Sequence, residues 1–431
     1  MTWGAACGWA EEGLGTYDAG MRDIELYRAI LGLEAPWTVA RVDLNVGEKR
    51  VDVYAEHGKR KTWPCPTCDA ACGLHDHDEE KTWRHLDSCQ FKTLLHARVP
   101  RVRCDVHGVL QVGVPWAEPG GRFTALFERW AIDVLHETSV DGGAGLLGIT
   151  WDEAHHIMQR AVERGMERRE RVVPRHLGLD EKCIGRGLRF TTIATDIKAG
   201  AVIDVAEGRT KESVYLTLGA YSLDDLATVE AVAIDMSKTY ISAVRSCIED
   251  ADKKIVFDRF HVVQHMTDAV DKVRRGENQQ LREEGDERLV GSRHVWLYGR
   301  ENVPEKYETS FGDLRNAKLK TARAWAIKEQ LRDLWDQPTL QQGEEWWTRW
   351  FRWASHSRLE PVKKVARMIK AHLPNVLTYF THRITSATNE ALNGVIKTLI
   401  KRAYGFRSFT NFRTAVLFHC GKLQLYPAIP S

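Results

Sequence analysis

Three acidic residues stand in settings that restrict what this chain can fold into. Asp180 lies in His176-Leu177-Gly178-Leu179-Asp180-Glu181, and Asp235 ends Val229-Glu230-Ala231-Val232-Ala233-Ile234-Asp235. Glu390 opens Thr388-Asn389-Glu390-Ala391-Leu392-Asn393-Gly394-Val395-Ile396-Lys397. The first two acids read as strand ends and the third as the start of a helix. Around the first two, residues 176–258 alternate as an α/β unit. Strands are expected over 177–184, 188–197 and 201–206, a helix over 211–218, a fourth strand over 229–234, a helix over 236–249 and a fifth strand over 254–257. The alternation then stops, and residues 258–380 read as helices, so that 155 positions separate Asp235 from Glu390.

Three meandering strands followed by helix and strand in turn is the order of an RNase H-like fold. In that fold, acids at the ends of the first and fourth strands lie side by side. An all-helical insertion must then sit between the fifth strand and the last core helix. It holds seven of the 15 Trp, expected mainly in a core, with Trp346 to Trp353 beside Arg349 and Arg352 the ones placed to touch a nucleic acid. Three carboxylates on such elements can hold two divalent metals, which activate a water or hydroxyl and stabilise the leaving oxygen of a phosphodiester. Oxygen ligands suit Mg²⁺ (or Mn²⁺), which keeps open positions for phosphates. Asp235 precedes an expected helix, so a plain helix-capping role competes with the catalytic one.

At 100° per residue, Lys397 and Lys401 fall within about 20° of Glu390, and Leu392, Val395, Ile396 and Leu399 fall opposite. One face is expected to pack and the other to present a carboxylate and lysines. Lys401, Arg402, Tyr404, Phe406, Arg407, Phe409, Phe412 and Arg413 follow, and residues 391–431 contain six Lys or Arg and no acid, in a chain whose net charge is only +2. A basic, aromatic-interleaved tail beside a carboxylate suits a nucleic-acid backbone held near a metal site.

A length of 431 residues suggests two or three domains, and 43% hydrophobic with 28% charged residues is ordinary for a soluble globular protein. No apolar run approaches the ~20 residues of a membrane helix. The N-terminus, with Glu11 and Glu12, has no signal-peptide pattern, so a cytoplasmic, nucleoid-associated location is expected. Of nine cysteines, Cys65, Cys68, Cys72, Cys89 and Cys104 fall within 40 residues, which points to metal in a reducing compartment. Cys65-Pro66-Thr67-Cys68 and Cys104-Asp105-Val106-His107 read as two knuckles joined by strands over 81–86 and 91–99, a zinc ribbon. Cys65, Cys68, Cys104 and His107 make a closed tetrahedral set, hence a structural Zn²⁺. Cys72, Cys89, His75, His77, His85 and His96 are rival ligands.

Helical periodicity begins at Phe123 and runs to His136, a short helix covers 139–147, and Thr150-Trp151-Asp152-Glu153 is a capping box that starts a helix through Arg169. Helix, short helix, tight turn and capped helix is the helix-turn-helix layout, with Arg160, Arg164 and Arg168 as DNA contacts. An ordinary three-helix linker is the alternative. Gly142, Gly143 and Gly145 weaken the second helix.

Taken together, the zinc ribbon, helix-turn-helix and acid-acid-insertion-acid order resembles the bacterial insertion-sequence DDE transposases, in particular the ISL3 family. The resembling segments are Leu177-Gly178-Leu179-Asp180-Glu181, Ala233-Ile234-Asp235-Met236-Ser237-Lys238-Thr239-Tyr240, Phe257-Asp258-Arg259-Phe260-His261, Thr388 to Asn393 and Ile400 to Phe406. The resemblance implies a multidomain α+β protein that binds double-stranded DNA, cleaves at inverted-repeat ends with Mg²⁺, and transfers the freed 3′-hydroxyl to target DNA, acting as a homodimer. It makes Asp180, Asp235 and Glu390 the Mg²⁺ ligands and catalytic residues. It places Asp258 and His261 beside them in support, with Asp258 the replacement should Asp235 fail. Lys397, Lys401 and Arg402 become DNA contacts. His107 stands where Cys is more usual. The expected division is an N-terminal segment (1–60), zinc ribbon (61–112), helix-turn-helix domain (119–172), RNase H-like core, first part (173–258), all-helical insertion (259–385), and last core helix with basic tail (386–431). Two rival functions are a domesticated, non-catalytic DNA-binding protein and a metal-dependent nuclease without strand transfer.

Overall fold

Alternation of buried and exposed side chains between Trp37 and Gln111 builds the first sheet. In the computed structural model, which describes residues 23–184, 189–384 and 387–428, helix α1 (Asp23–Ile30) leads into β1 (Trp37–Asn45), β2 (Arg50–His57), β3 (Thr62–Pro64), β4 (Ala71–Arg84), β5 (Lys92–Cys104) and β6 (Gly108–Gln111). The strands order as β1-β2-β5-β4-β3, with β6 paired to the far half of β5. Only β2 and β5 run parallel. Val53, Leu95, Val99 and Val102 are wholly buried, and Trp37 meets Trp116 edge-on at 4.8 Å. The ribbon hairpin is thus longer than the expected 81–86 and 91–99. The segment expected to precede it supplies β1 and β2 to the same sheet. Val51, Val53 and Ala55, all buried, carry the period-two signal that makes β2 a strand. Residues 1–22 lie outside the described residues.

Helices α2 (Ala125–Glu137), α3 (Val140–Leu147) and α4 (Trp151–Arg168) follow. Each start is set by a side chain. Thr124 Oγ1 accepts from Phe127 N, Ser139 Oγ from Gly142 N, and Thr150 and Glu153 close the expected box, with Glu153 N donating to Thr150 Oγ1 at 3.2 Å and Thr150 N to Glu153 Oε2 at 2.9 Å. The glycine-rich α3 forms, and one of its glycines has a packing reason. A Cβ on Gly143 would lie 2.7 Å from Thr138 Oγ1 and 2.8 Å from Leu135 Cδ2, so Gly lets α3 sit close on the end of α2.

The second sheet comprises β7 (His176–Cys183), β8 (Phe190–Asp196), β9 (Ala201–Glu207), β10 (Ala231–Ile234) and β11 (Ile255–Phe257), ordered β11-β10-β7-β8-β9. β7, β8 and β9 form an antiparallel meander, and β10 and β11 add parallel strands on the other side of β7. Leu188, expected to open the second strand, lies outside the described residues. Between the strands run α5 (Lys211–Leu218), α6 (Leu223–Ala227), α7 (Lys238–Cys247) and α8 (Ala251–Lys254). The short α6 and α8 were not expected. α6 is five residues held by a Ser222–Asp225 capping box, too short for a helical period to register.

After β11 the described residues up to 384 hold helices and no strand: α9 (Arg259–Glu283), α10 (Glu308–Asn316), α11 (Lys320–Arg332), α12 (Leu340–Ser355), α13 (Glu360–Ala371), α14 (Leu373–Leu377) and α15 (Tyr379–His382). Most of the tryptophans here are core, while Trp353 is exposed and Trp346 half-buried. Trp296, Trp325, Trp335, Trp347 and Trp350 are buried, and Trp350 Nε1 donates to Ile327 O at 2.8 Å. The buried Glu277 of α9 caps α11, accepting from Lys320 N and Thr321 N, each at 2.7 Å. α16 (Ala387–Arg402) and α17 (Phe409–Cys420) complete the chain, and the expected boundary at 385–386 lies outside the described residues. Contacts divide the chain into two compact units, the residues up to Arg164 with those from Leu425 on, and Gly165–Gln424.

Candidate active site and metal centre

Strand register brings two of the three acids together. β10 pairs with β7 so that Ala231, Val232 and Ala233 face His176, Leu177 and Gly178. Continued two residues, the same register puts Asp235, just past the end of β10, beside Asp180, which lies within β7 and not at its end as expected. β11 pairs with β10 so that Ile234 faces Phe257, and one further step puts Asp258 beside Asp235. Two-residue alternation turns Asp180, Asp235 and Asp258 to one face of the sheet.

Asp235 is partly buried, and its Oδ1 accepts from Ser237 N at 2.9 Å in the turn ahead of α7; Ser237 is the N-cap of that helix, so Asp235 does not fill the capping role that competed for it. Burial pushes its carboxyl above the usual carboxylate range and the Asp180 charge pushes the same way, while the Ser237 N–H, His261 and His265 pull it back. Asp258 Oδ1 accepts from Phe260 N at 2.8 Å and starts α9, and its Oδ2 lies 3.8 Å from His261 Nε2.

Helix α16 crosses the same face of β7. Asn389 lies over Gly178, where a Cβ would overlap the Asn389 amide and Thr195 Oγ1, so glycine is needed for the approach. Asn389 Oδ1 accepts from Thr195 Oγ1 at 2.7 Å. One turn on, Asn393 Nδ2 donates to Asp180 Oδ2, and Asn393 Oδ1 accepts from Lys182 Nζ at 3.2 Å. Positions 178, 180 and 182 of the strand thus meet positions 389 and 393 of the helix. Sequence reasoning missed Asn389, Asn393, Lys182 and His265. The signal for the first three was there, an i,i+4 asparagine pair facing an i,i+2 strand row. The face of α16 that packs therefore opens with two asparagines. Ile396 and Leu399 are buried as expected, but Val395 is 44% exposed. Glu390 is exposed on α16 next to Asn389, and Lys397, Lys401 and Arg402 are exposed along it.

Among the described residues, the side chains whose metal-binding atoms converge within 4.8 Å are Cys65, Cys68, Cys104 and His107; the acid trio does not converge to that distance. Cys68 Sγ to Cys104 Sγ is 3.8 Å, Cys104 Sγ to His107 Nδ1 is 3.6 Å and Cys65 Sγ to His107 Nδ1 is 3.8 Å. A tetrahedron with Zn–S ~2.3 Å and Zn–N ~2.05 Å has S···S edges of ~3.8 Å and S···N edges of ~3.6 Å. The spacing and the donor set fit structural Zn²⁺. The backbone N–H groups of His107 and then Val106 pull the Cys104 thiol down to about 7, favouring the thiolate that zinc binds. Four of the six rivals have hydrogen-bond partners of their own, and Cys89 is exposed and outside the cluster. His85 is buried with Nδ1 at 2.9 Å from Thr124 Oγ1, His96 Nε2 lies 2.8 Å from Asp52 Oδ1, and His77 Nε2 lies 2.8 Å from His57 Nε2. Cys72 lies near the cluster, and its thiol donates to Ala70 O.

The helix-turn-helix arginines need correction. Arg164 is buried; its guanidinium donates to Glu118 Oε1 at 2.8 Å, to Glu128 Oε2 at 3.2 Å and to Leu425 O. Arg160 pairs with Glu128, itself 2% exposed. Positions 157, 160, 161 and 164 share the inner face of α4, so these two arginines fasten the helices and are not exposed DNA contacts. Arg168 is exposed, and so are Trp151, Asp152 and His156 in the first turns of α4.

Three family models and two curated relatives match the chain. A transposase family model matches residues 177–416, the zinc finger of transposases IS204/IS1001/IS1096/IS1165 matches 61–107, and the helix-turn-helix domain of transposase family ISL3 matches 113–162. The transposase for insertion sequence element IS1557 of Mycobacterium tuberculosis is 26% identical over 420 residues, covering 90% of this chain and 93% of the relative. The transposase for insertion sequence element IS1001 of Bordetella parapertussis is 23% identical over 351 residues, covering 80% and 86%. With the transposase model alone matching residues 177–416 of 431, the chain belongs to the ISL3 family of transposases.

Proposed function

We propose that the chain binds the inverted-repeat ends of its own insertion sequence, cuts them in a divalent-metal-dependent reaction and joins the freed 3′-hydroxyl to target DNA. The observation that carries this is the parallel pairing of β10 with β7, whose register continued two residues sets Asp235 beside Asp180, with α16 crossing the same face through Asn389 and Asn393. The β11-β10-β7-β8-β9 order supports reading residues 173–258 and 386–431 as an RNase H-like core, with residues 259–385 as an all-helical insertion.

The donor set is all oxygen, and Asp235 is held against burial and a like charge, a state that a hard cation relieves. Asp180, Asp235 and Glu390 would hold the cations, and two Mg²⁺ or Mn²⁺ would supply an activated nucleophile and support for the leaving oxygen. Asn393, steadied by Lys182, fixes which way the Asp180 carboxylate points. Asp258 and His261 support Asp235 from the start of α9, just past β11. Lys397, Lys401 and Arg402 hold phosphates along α16. The exposed first turns of α4, with Trp151, Asp152 and His156, enter the major groove. A dimer pairs two ends.

The test incubates the protein with duplexes from both flanks of its gene and Mg²⁺, and maps the cut positions. Cuts at a repeated terminal sequence, followed by joining of the 3′ ends to a second duplex, support the proposal. Cuts without joining favour a nuclease, and specific binding without cuts favours a non-catalytic DNA-binding protein.

A further inference from the structure

Helix α16 ends with a tyrosine in a position that usually belongs to glycine. Gly405 N donates to Ile400 O at 2.9 Å and Tyr404 N to Lys401 O at 3.1 Å, the bond pair of a Schellman cap. The residue at the left-handed position of such a cap is commonly Gly, because a Cβ is strained there. Here it is Tyr404, with φ 50° and a relative exposure of 100%. The fold gains nothing from this ring, and the backbone under it is strained. Such strain persists where its surroundings hold it in place, and it gathers at functional sites.

The mount behind the ring is firm. Arg189 donates to Phe406 O at 3.1 Å and to Arg407 O at 3.2 Å. Phe406 packs edge-on against Phe412, whose ring is wholly buried, at 5.4 Å. Around the ring Lys401, Arg402 and Arg407 are exposed, and no acid occurs after Glu390. An exposed aromatic ring amid cations, on a hydrogen-bonded helix cap, is the arrangement on which nucleobases stack while cations track the backbone.

We infer that Tyr404 stacks on a nucleobase of the DNA end, one unpaired or levered out of the duplex, while Lys401 and Arg402 hold the flanking phosphates. The inference rests on the proposal that Glu390 marks the cutting site. Fourteen positions separate Glu390 from Tyr404, which at 1.5 Å per residue is ~21 Å. At 3.4 Å per base step, the contacted base lies about six steps from the scissile phosphate.

The test uses the full chain and duplexes from the flanks of its gene. 5-Iodouracil is placed singly along each strand, complexes form in Ca²⁺, and the photo-cross-linked peptide is identified. The expected cross-link joins Tyr404 to a base about six steps from the cut mapped in Mg²⁺. Tyr404→Ala should lose that cross-link and bind on the order of ten-fold more weakly, while Tyr404→Phe and Tyr404→Trp stay close to wild type. The free protein should melt no lower with Tyr404→Ala. Tyr404→Gly should melt higher, by release of the left-handed strain, and bind as poorly as Tyr404→Ala. If wild type cuts and Tyr404→Ala binds within about two-fold of it, or if the cross-link maps to another residue, this inference fails alone. A Tyr404→Ala chain that binds normally but no longer dimerises also overturns it, in favour of a second copy as the partner of the ring. A wild type that binds no duplex overturns both this inference and the catalytic proposal.

Discussion

Arg164 was expected to read DNA from an exposed face, and only 7% of its side chain reaches solvent. Its residue type suggested phosphate or base contact, whereas its helical phase, shared with Ile157 and Ala161, puts it inside. Glu128 depends on it. Removing Arg164 would leave a carboxylate with 2% side-chain exposure to Arg160 alone. Arg164→Met should therefore lower stability by about 3 kcal/mol or more, the cost of breaking a buried ion pair from one side. Chemical denaturation of the full chain, followed by tryptophan fluorescence, measures it. A variant as stable as wild type would mean the network is not what fastens α4. Loss of DNA binding in this variant reports a loosened domain, not a lost base contact. Burial reverses expectation at Asp235 too, in the other direction. A residue that could have been a plain cap is instead buried beside a second carboxylate, which raises its pKa.

Elements with a full period were legible in the sequence, and elements defined by a few contacts were not. α5 covers the expected 211–218, and α4, with its Thr150–Glu153 box, begins where the capping pattern placed it. β10 and β11 begin a residue or two late, yet their carboxyl ends, which carry Asp235 and Asp258, match expectation. The pairing of β1 and β2 with the ribbon was not legible, because β2 joins β5 by a parallel contact across 41 positions of chain from Arg50↔Lys92 onward, and no local signal marks it. The asparagine contacts of α16 were missed for a related reason. Apolar periodicity points to a packing face, and here polar side chains fill its first turn.

One link between elements carries a pH dependence. His85 at the end of β4 sits against Thr124, the cap of α2, and burial pulls its pKa down to about 4. The Thr124 hydroxyl accepts from Phe127 N and shares a hydrogen bond with His85 Nδ1. The unfolded chain takes up this proton near pH ~6.5 and the folded chain does so only near 4. This contribution is therefore complete above ~6.5 and is lost as pH falls toward 4, about 3 kcal/mol in all. Comparing wild type with His85→Asn should show the variant losing less stability over that window. Parallel curves would assign the acid sensitivity to other groups.

Across the whole molecule, a Cys₃His cluster, three capped helices and a mixed sheet occur in the order the sequence suggested, with Asp180 inside its strand and not at its end. What the sequence could not supply was the meeting of β7 and α16, since 210 positions separate Asp180 from Glu390, and the contacts of Asn389 and Asn393 bring these elements together without converging the three carboxylates. The central claim is that these carboxylates grip the metal that drives cleavage. The most direct measurement is end cleavage by Asp180→Cys, Asp235→Cys and Glu390→Cys in Mg²⁺ and in Mn²⁺, with folding and end-binding checked in each. A thiolate is a poor ligand for hard Mg²⁺ and a better one for Mn²⁺. The account predicts that each variant binds ends, fails to cut in Mg²⁺ and regains cutting in Mn²⁺. A variant that cuts in Mg²⁺ at near the wild-type rate, or one that binds ends and stays equally inactive in both metals, contradicts metal ligation by that residue.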